Sequence, residues 1–285
     1  YSNCYCICYR FVKIERKKMD FIEFFGFVGA FFIGLIMGVL GGGGSILAVP
    51  ILAYIFHFDE KIATAYSLCI VGSTGLIGGI KQASQKMVDW KVVFQFGLPA
   101  VVGITLVRAF LIPALPTNLF AIGDFIVTRR MAMFGLFAIL MVFAAISMLK
   151  GKKDVEVDQK NNKLNPVLFI QGFLIGGLTG MVGAGGGFLI VPALMMVAKL
   201  DMKRASATSL VIIAINSLIG FFIGDALHIK IDWSFLSVFI GISMVGILIG
   251  TYINKFLPVQ FLKRTFAIFI ILMAIFMFIE EFIIQ

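Results

Sequence analysis

The chain has 285 residues, of which 60% are hydrophobic and 14% charged, and its formal net charge is +9. Soluble domains carry roughly 25% charged residues, so a water-soluble fold is excluded, and the long apolar runs exclude a β-barrel. The basic residues fall mostly between apolar runs, where they orient membrane helices; this favours the lipid bilayer as partner and argues against nucleic acid. We therefore expect an all-α integral membrane protein, multi-pass in the cell membrane.

The first eighteen residues differ from the rest of the chain. Three of the four cysteines form Cys4-Tyr5-Cys6-Ile7-Cys8, an alternate spacing without histidines that matches no standard zinc pattern. Met19 followed by DFIEFF resembles a natural start. We therefore treat residues 1–18 as a basic extension, either native or upstream of the true start, and predict no metal or cofactor site.

Ten apolar segments follow, in two membrane halves (19–149 and 165–285) that a polar linker (150–164) separates. Most of them approach the ~20 residues that a membrane-spanning helix needs. Two segments, 45–57 and 186–199, are too short for an upright span, so each is either a half-helix or the return arm of a hairpin. The ten segments are roughly 21–41, 45–57, 62–80, 91–115, 131–149, 165–183, 186–199, 205–224, 234–254 and 262–284.

The number of crossings is open between eight and ten. With eight, the two short segments do not cross, and Lys81, Lys86 and Lys91 face the cytoplasm with the linker, although Arg129 and Arg130 do not. With ten, each half crosses five times, and an odd count makes the halves inverted repeats. Charge counting favours eight crossings plus two short half-helices.

One glycine-rich stretch occurs twice. Gly34–Pro50 reads GLIMGVLGGGGSILAVP, and Gly176–Pro192 reads GGLTGMVGAGGGFLIVP. Because glycine lacks a Cβ and opens backbone conformations that other residues avoid, each run is expected to break the helix that enters it. A broken helix at corresponding places in two hydrophobic halves indicates the substrate site of a transporter.

The correspondence between the halves extends beyond these glycines. Aligning Pro50 with Pro192 also matches the segment beginning at Asp59 with that beginning at Asp201. With a one-residue gap, Asp89-Trp90 matches Asp232-Trp233. We interpret the pattern as internal duplication into two homologous repeats, each with a glycine-broken helix.

These residues resemble the sulfite exporter TauE/SafE family, also described as sulfonate permeases. The resemblance covers about Phe21 to Glu281, and its most specific parts are the two glycine stretches ending in Pro50 and Pro192. The first copy departs from the pattern at Gly42 and Ser45, where the second has Ala184 and Gly187. The resemblance implies a permease for small sulfur-containing anions, such as sulfite or organosulfonates, with substrate and direction varying between members.

The inner glycines are the first candidate substrate contacts. A helix that starts beside a glycine break presents unpaired N–H groups and the positive end of its dipole, which suit a sulfite or sulfonate oxygen as they suit phosphate. We expect the two breaks to face each other near mid-membrane and to bind the anion jointly. Packing is the alternative, but packing alone should not require three or four adjacent glycines. The candidates are Gly41, Gly42, Gly43, Gly44, Ser45, Gly183, Gly185, Gly186 and Gly187.

The outer glycines, Gly34, Gly38, Gly176 and Gly180, have the spacing of close helix packing, and we assign them that role.

The third segment of each half carries polar residues on an apolar background. Ser67 and Ser209 occupy equivalent positions, one turn from Thr64 and Ser206, and Asn216 lies further along the second copy. Such a face either lines an anion path by hydroxyl donation or bonds back to the helix's own carbonyl groups. Ser67, Ser209 and Asn216 are the substrate-binding candidates here.

Arg108 is a charged residue inside the apolar run LPAVVGITLVRAFLIPALP. Charge at depth is expensive, so such residues usually face an interior cavity or a partner. An arginine can bind an anion with two hydrogen bonds. Arg108 is about one turn from Pro113, however, so snorkelling to the interface is the alternative.

The remaining polar residues lie near segment ends. We read them as interfacial anchors or helix starts, and the two histidines as solvated. Coupling to a proton or another ion is compatible with them, although nothing in the sequence requires it. These residues are Asp59, Lys61, Asp89, Asp201, Lys203, Arg204, Asp232, His57 and His228.

The sequence favours a secondary transporter or facilitator over other classes. The apolar segments contain no HExxH, no GxSxG and no paired carboxylates at membrane depth, which argues against an enzyme. No Walker A sequence for ATP-driven transport is present. A non-transporting membrane scaffold would not need duplicated helix breaks. We therefore expect transport of small sulfur-containing anions, with export as the main reading and uptake as the alternative; the oligomeric state is open.

Overall fold

The computed structural model describes residues 24–114, 118–122, 125–150, 166–183, 186–226 and 229–280. Within these ranges the chain is an all-α integral membrane protein with one small β-hairpin. The expectations for residues 1–18, for the linker beyond Lys150, for Gly185 and for His228 lie outside the described residues.

Ten helices are present in the described ranges, and each coincides with one predicted apolar segment. Five of them (α3, α4, α8, α9 and α10) are long and apolar enough to cross a bilayer, and α2 and α7 are the short segments expected after the glycine runs. The bounds are α1 Phe24–Leu40, α2 Gly42–Ile55, α3 Glu60–Ser84, α4 Trp90–Leu111, α5 Arg129–Lys150, α6 Pro166–Val182, α7 Gly187–Met196, α8 Met202–Asp225, α9 Trp233–Asn254 and α10 Val259–Ile279.

Three aspartates mark helix starts, as the sequence suggested for two of them. Asp89 caps α4 and Asp232 caps α9, each accepting hydrogen bonds from two backbone N–H groups of the first turn. Asp201 caps α8 through the N–H of Arg204 at 2.8 Å. The carboxylates satisfy backbone donors that the first turn of a helix leaves unpaired.

α3 and α8 form the centre of the molecule. Their most apolar windows are 78% and 72% buried, against 39% in α9 and 33% in α10. The two helices run antiparallel, since Gly72 of α3 lies against Leu218 whereas Gly79, two turns later, lies against Val211. These corresponding helices of the two halves therefore point in opposite directions.

α1 and α2 form a helical hairpin. The ring of Phe56, just after α2, lies at Gly26 near the start of α1, and Ile51 lies at Gly29. Near the turn, Gly44 packs on the α1 backbone at Ile33. α2 therefore returns alongside α1, which is the return-arm alternative of the sequence prediction.

The outer glycines pack helices from different halves together. Gly34 and Gly38 face α9, and a Cβ on Gly38 would lie 2.6 Å from the carbonyl oxygen of Ile247. Gly176 and Gly180 face α4 in the same way, with Gly176 against Ala100. The predicted packing role of these glycines is confirmed.

A short antiparallel hairpin connects α4 to α5. Its strands are β1 (Asn118–Ile122) and β2 (Phe125–Thr128), with Phe120 paired to Val127 and Ile122 to Phe125. The sequence analysis assigned no structure to this connection. Two short apolar runs separated by the turn dipeptide Gly123-Asp124 are the signal that would have indicated a hairpin.

Candidate functional site

The chain turns sharply at Gly41, between α1 and α2. Gly41 has a φ of 76°, a left-handed conformation that favours glycine, and Gly42–Gly44 form one 3₁₀ turn that opens α2. Ser206 of α8 lies beside the turn, since a Cβ on Gly41 would be 2.5 Å from its Oγ. The predicted break is therefore present, and it contacts the polar face of a central helix.

Each of the next three glycines has a steric reason to be glycine. A Cβ on Gly42 would overlap the backbone of Gly187, one on Gly43 the ring of Phe266, and one on Gly44 the backbone of α1. The expectation that packing does not require adjacent glycines is therefore wrong. It failed because three different neighbours approach three successive residues.

The second break has the same form. Gly183 has a φ of 77° and Gly186, beside Thr179, has a φ of 72° before α7 begins. Gly187 touches Gly42, so the two breaks meet, as expected. They meet through direct backbone contact, which leaves no space for an anion between Gly42 and Gly187.

Three predicted serine ligands use their hydroxyl groups inside the protein. Ser45 Oγ donates to the carbonyl of Gly42 at 2.7 Å, and Ser209 Oγ donates to Ser206 at 2.8 Å. Ser67 Oγ lies within hydrogen-bonding distance of two carbonyl oxygens, those of Thr64 and Gly183. Each of these serines therefore donates to a carbonyl group three residues earlier in the chain, which was the alternative to ligand binding. Ser67 also links α3 to the second break through the carbonyl of Gly183.

Arg108 lies inside the protein, and only 2% of it is exposed. Its Nη1 donates to Asp225 Oδ2 at 2.7 Å, joining α4 to the end of α8, and reaches Thr64 Oγ1 at 3.5 Å. Gly224 leaves room for the aliphatic stem of Arg108, since a Cβ there would lie 2.6 Å from the arginine Cβ. The snorkelling alternative is therefore excluded, and the buried-partner alternative holds.

Most of the guanidinium group of Arg108 has no hydrogen-bond partner among the described residues. Arg108 Nε and Nη2 are buried, and neither has a hydrogen-bond partner within the described part of the structure. Nη2 lies at the second break, because a Cβ on Gly183 would be 2.6 Å from it. Buried polar groups are nearly always satisfied, so unused N–H groups of a buried cation require an explanation.

The ion pair lies on irregular helical turns. Arg108 belongs to the π-helical segment Val107–Leu111 of α4, and Asp225 ends the π-helical segment Gly220–Asp225 of α8. π-Helical turns inside α-helices are rare and occur frequently at functional sites. The second break and two π-helical turns therefore converge on one buried charge pair.

Further polar groups without a hydrogen-bond partner among the described residues lie on α3 and α8. Asn216 is fully buried, and both polar atoms of its side chain lack hydrogen-bond partners among the described residues. It lies between the points where α8 touches α3, at Ala214 and Leu218. Three hydroxyl groups on these two helices are likewise buried without a hydrogen-bond partner among the described residues: those of Thr74, Ser206 and Ser217.

The two breaks differ in the charged side chains that lie beside them. The sequence correspondence places Ser206 opposite Thr64, so Gly41–Ser206 and Gly183–Thr64 are matching contacts. The residue corresponding to Asp225 is Ala83, and Arg108 corresponds to the neighbourhood of Gly250 and Thr251. Only the second break therefore has the Arg108–Asp225 pair beside it.

Asp225 is the functional candidate that the sequence analysis missed. It stands at the end of the third apolar segment, where a carboxylate is unremarkable by composition, and 117 positions separate it from Arg108. The only available signal was the buried arginine itself, which requires a counter-charge somewhere in the membrane.

The family profile and the similar proteins all describe membrane transporters. The family profile described as "Sulfite exporter TauE/SafE" matches residues 26–277. The chain is 30% identical to a "Probable membrane transporter protein" of Methanocaldococcus jannaschii over 73% of this chain and 74% of that protein. Proteins of the same description from Xylella fastidiosa and Haemophilus influenzae are also 30% identical, covering 86% and 87% of this chain and 90% and 94% of theirs.

No solved structure matches the chain. The family profile spans both glycine breaks, the ion pair and most of the ten helices. The chain is thus a multi-pass membrane protein, and it belongs to the sulfite exporter TauE/SafE family.

Proposed function

We propose that the protein is a secondary transporter or facilitator that moves sulfite or small organosulfonates across the membrane, with export as its working direction. Family membership makes the chain a membrane transporter, and the substrate class and direction are our proposal. The description of the family as sulfite exporters supports both.

The observation that carries the proposal is the unpartnered edge of Arg108. Nε–H and one N–H of Nη2 point in parallel, and this pair matches two oxygens of a trigonal or tetrahedral oxyanion. Both nitrogens are buried without a partner among the described residues, while Nη1 is held by Asp225. The charge pair thus fixes the guanidinium plane and leaves its recognition edge for a ligand.

The surroundings of that edge favour a small anion. Nη2 is packed closely against Gly183 and Thr64, since a Cβ on Gly183 would lie 2.6 Å from Nη2 and closer still to Thr64 Cβ. Gly183 sits at a helix break, and in a membrane protein such irregular backbone must be packed in protein or line a polar cavity. A small anion, such as a sulfite ion or the sulfonate head of a short organic molecule, would reach this edge when the contact at Gly183 opens.

The test is flux into and out of proteoliposomes that contain the purified protein. We expect flux of sulfite and methanesulfonate, in the direction of the imposed gradient, well above that of protein-free vesicles. Thiosulfate and sulfate serve as comparison anions. Absence of flux for every sulfur oxyanion would overturn the substrate claim.

A further inference from the structure

We propose that Asp225 is the proton-binding group that couples anion movement to proton movement in this transporter. The inference rests on the proposed anion site at Arg108. It follows from the charges that meet there, because a second negative group must approach a cation that already holds one carboxylate.

The described surroundings of Asp225 supply one strong counter-charge. Asp225 is 7% exposed, and Arg108, which faces it from α4, is 2% exposed. α3 packs on the same segment and contributes the uncharged Thr64, which also contacts the guanidinium group. Besides Arg108, the titratable groups on the elements around Asp225 are Lys91 on α4, Glu60, Lys61, Tyr66, Cys69 and Lys81 on α3, Lys203 and Arg204 on α8, and Lys230 and Asp232 in the described stretch after α8. His228 also follows α8 in the sequence and lies outside the described residues. Tyr66 Oη accepts a hydrogen bond from the N–H of Asp232.

Arg108 and Asp225 form a neutral pair when both are ionised. An anion bound to Nε and Nη2 would give the buried group a net negative charge, close to the Asp225 carboxylate. Such charge is strongly disfavoured where water is scarce, and like charges raise each other's proton affinity. One proton on Asp225 restores neutrality, with the anion then serving as the counter-ion of Arg108.

The loaded site therefore contains one proton and one monoanion and is neutral overall. The proton enters from water with the anion and leaves with it on the other side, so no further reactant is needed. Movement of this load is electroneutral. The pH gradient and the anion gradient then decide the direction of transport, and accumulation of the anion inside drives export.

The test measures proton uptake when an anion binds to the purified full-length protein in weakly buffered detergent. Methanesulfonate is the probe, since the sulfonate group stays ionised and does not itself exchange protons. We expect wild-type protein to take up about one proton per bound anion, and its affinity to fall about tenfold per pH unit in the range where free Asp225 is ionised.

Asp225→Asn should bind methanesulfonate without proton uptake and with little dependence on pH. Asp232→Asn is the matched control, because it changes a carboxylate near the same end of α8 and asparagine still caps a helix. This control should behave like wild type. Asp225→Glu should retain proton uptake, which provides a second variant if the asparagine variant does not fold.

The results separate the two proposals. Methanesulfonate binding by wild-type protein without proton uptake would overturn the coupling role of Asp225 and leave the anion site intact. Proton uptake by Asp225→Asn equal to that of wild type would do the same. A wild-type protein that binds neither methanesulfonate nor sulfite would contradict the proposed function, and the coupling inference with it.

Discussion

Arg108 combines a large energetic cost with an incomplete set of contacts. Removing water from a guanidinium group costs several kcal/mol, and one salt bridge at 2.7 Å offsets that cost only when the remaining donors are also satisfied. Here Nε and Nη2 have no partner within the described residues. A role in stability alone would be served as well by an apolar side chain, so the arrangement is better explained by anion binding.

The residue that should respond most sharply to a small change is Gly183. Gly183→Ala places a Cβ at 2.6 Å from Arg108 Nη2 and forces alanine to a φ of 77°, which costs roughly 1–2 kcal/mol. We expect sulfite flux in proteoliposomes to fall at least tenfold while the protein still inserts in the membrane. Gly241→Ala is the control, since nothing lies within 4 Å of its Cβ position, and wild-type flux in Gly183→Ala would refute the assignment.

At the residue scale, sequence reasoning found the cation and missed its partner. Arg108 was detectable because a charge inside an apolar run is unusual. Asp225 was not, because FFIGDALH reads as the polar end of a segment and only the fold brings it to α4. The serines were identified by position, but whether a hydroxyl donates to its own helix depends on rotamers that a sequence does not show.

Among the elements, α1 and α6 depend on glycine where they contact other helices. α1 packs along α9 and α6 packs along α4, each with backbone close to backbone at two glycines. The spacing of small residues predicted these contacts because it follows directly from helical periodicity. The run Gly42–Gly44 was harder to interpret, because its three neighbours come from α7, α10 and α1. No local sequence pattern predicts such long-range contacts.

Adjacent glycines on α6 give a direct test of the packing role. A Cβ on Gly176 would lie 2.5 Å from Ala100 Cα, whereas one on Gly177 would make an ordinary contact with Val107 at 3.7 Å. Gly176→Ala should therefore destabilise the protein by about 1–3 kcal/mol through overpacking, and Gly177→Ala should be neutral or stabilising by up to about 1 kcal/mol. Thermal unfolding in detergent measures both, and equal unfolding temperatures would contradict the contact.

Across the whole molecule, contacts recur in matching pairs. Under the alignment of Pro50 with Pro192, Gly41–Ser206 matches Gly183–Thr64. The hydrogen bond from Asp89 N–H to Thr208 likewise matches that from Asp232 N–H to Tyr66. Such reciprocity is what two inverted repeats would produce, and the duplication itself stays a prediction from the sequence. The sequence could not reveal which surfaces of the halves meet, because that depends on long-range packing.

The two helix breaks have similar backbones but different charged neighbours, and this difference predicts the number of anions bound per chain. The two breaks are alike in backbone, yet Arg108 and Asp225 lie beside the second alone, and the position corresponding to Arg108 falls near Thr251. We therefore expect one anion per chain rather than two, bound in the half of the molecule where α3 begins and α8 ends.

The most direct test of the account is calorimetric titration of methanesulfonate into wild-type protein, Arg108→Lys and Thr251→Ser. Lysine keeps the positive charge beside Asp225 but lacks the Nε–Nη2 edge, and each charge-assisted hydrogen bond contributes about 1.5–3 kcal/mol. We predict one site per chain, affinity about tenfold to a hundredfold weaker in Arg108→Lys, and no change in Thr251→Ser. Wild-type affinity in a folded Arg108→Lys protein, or two equivalent sites per chain, would contradict the assignment of Arg108 as the anion-binding residue.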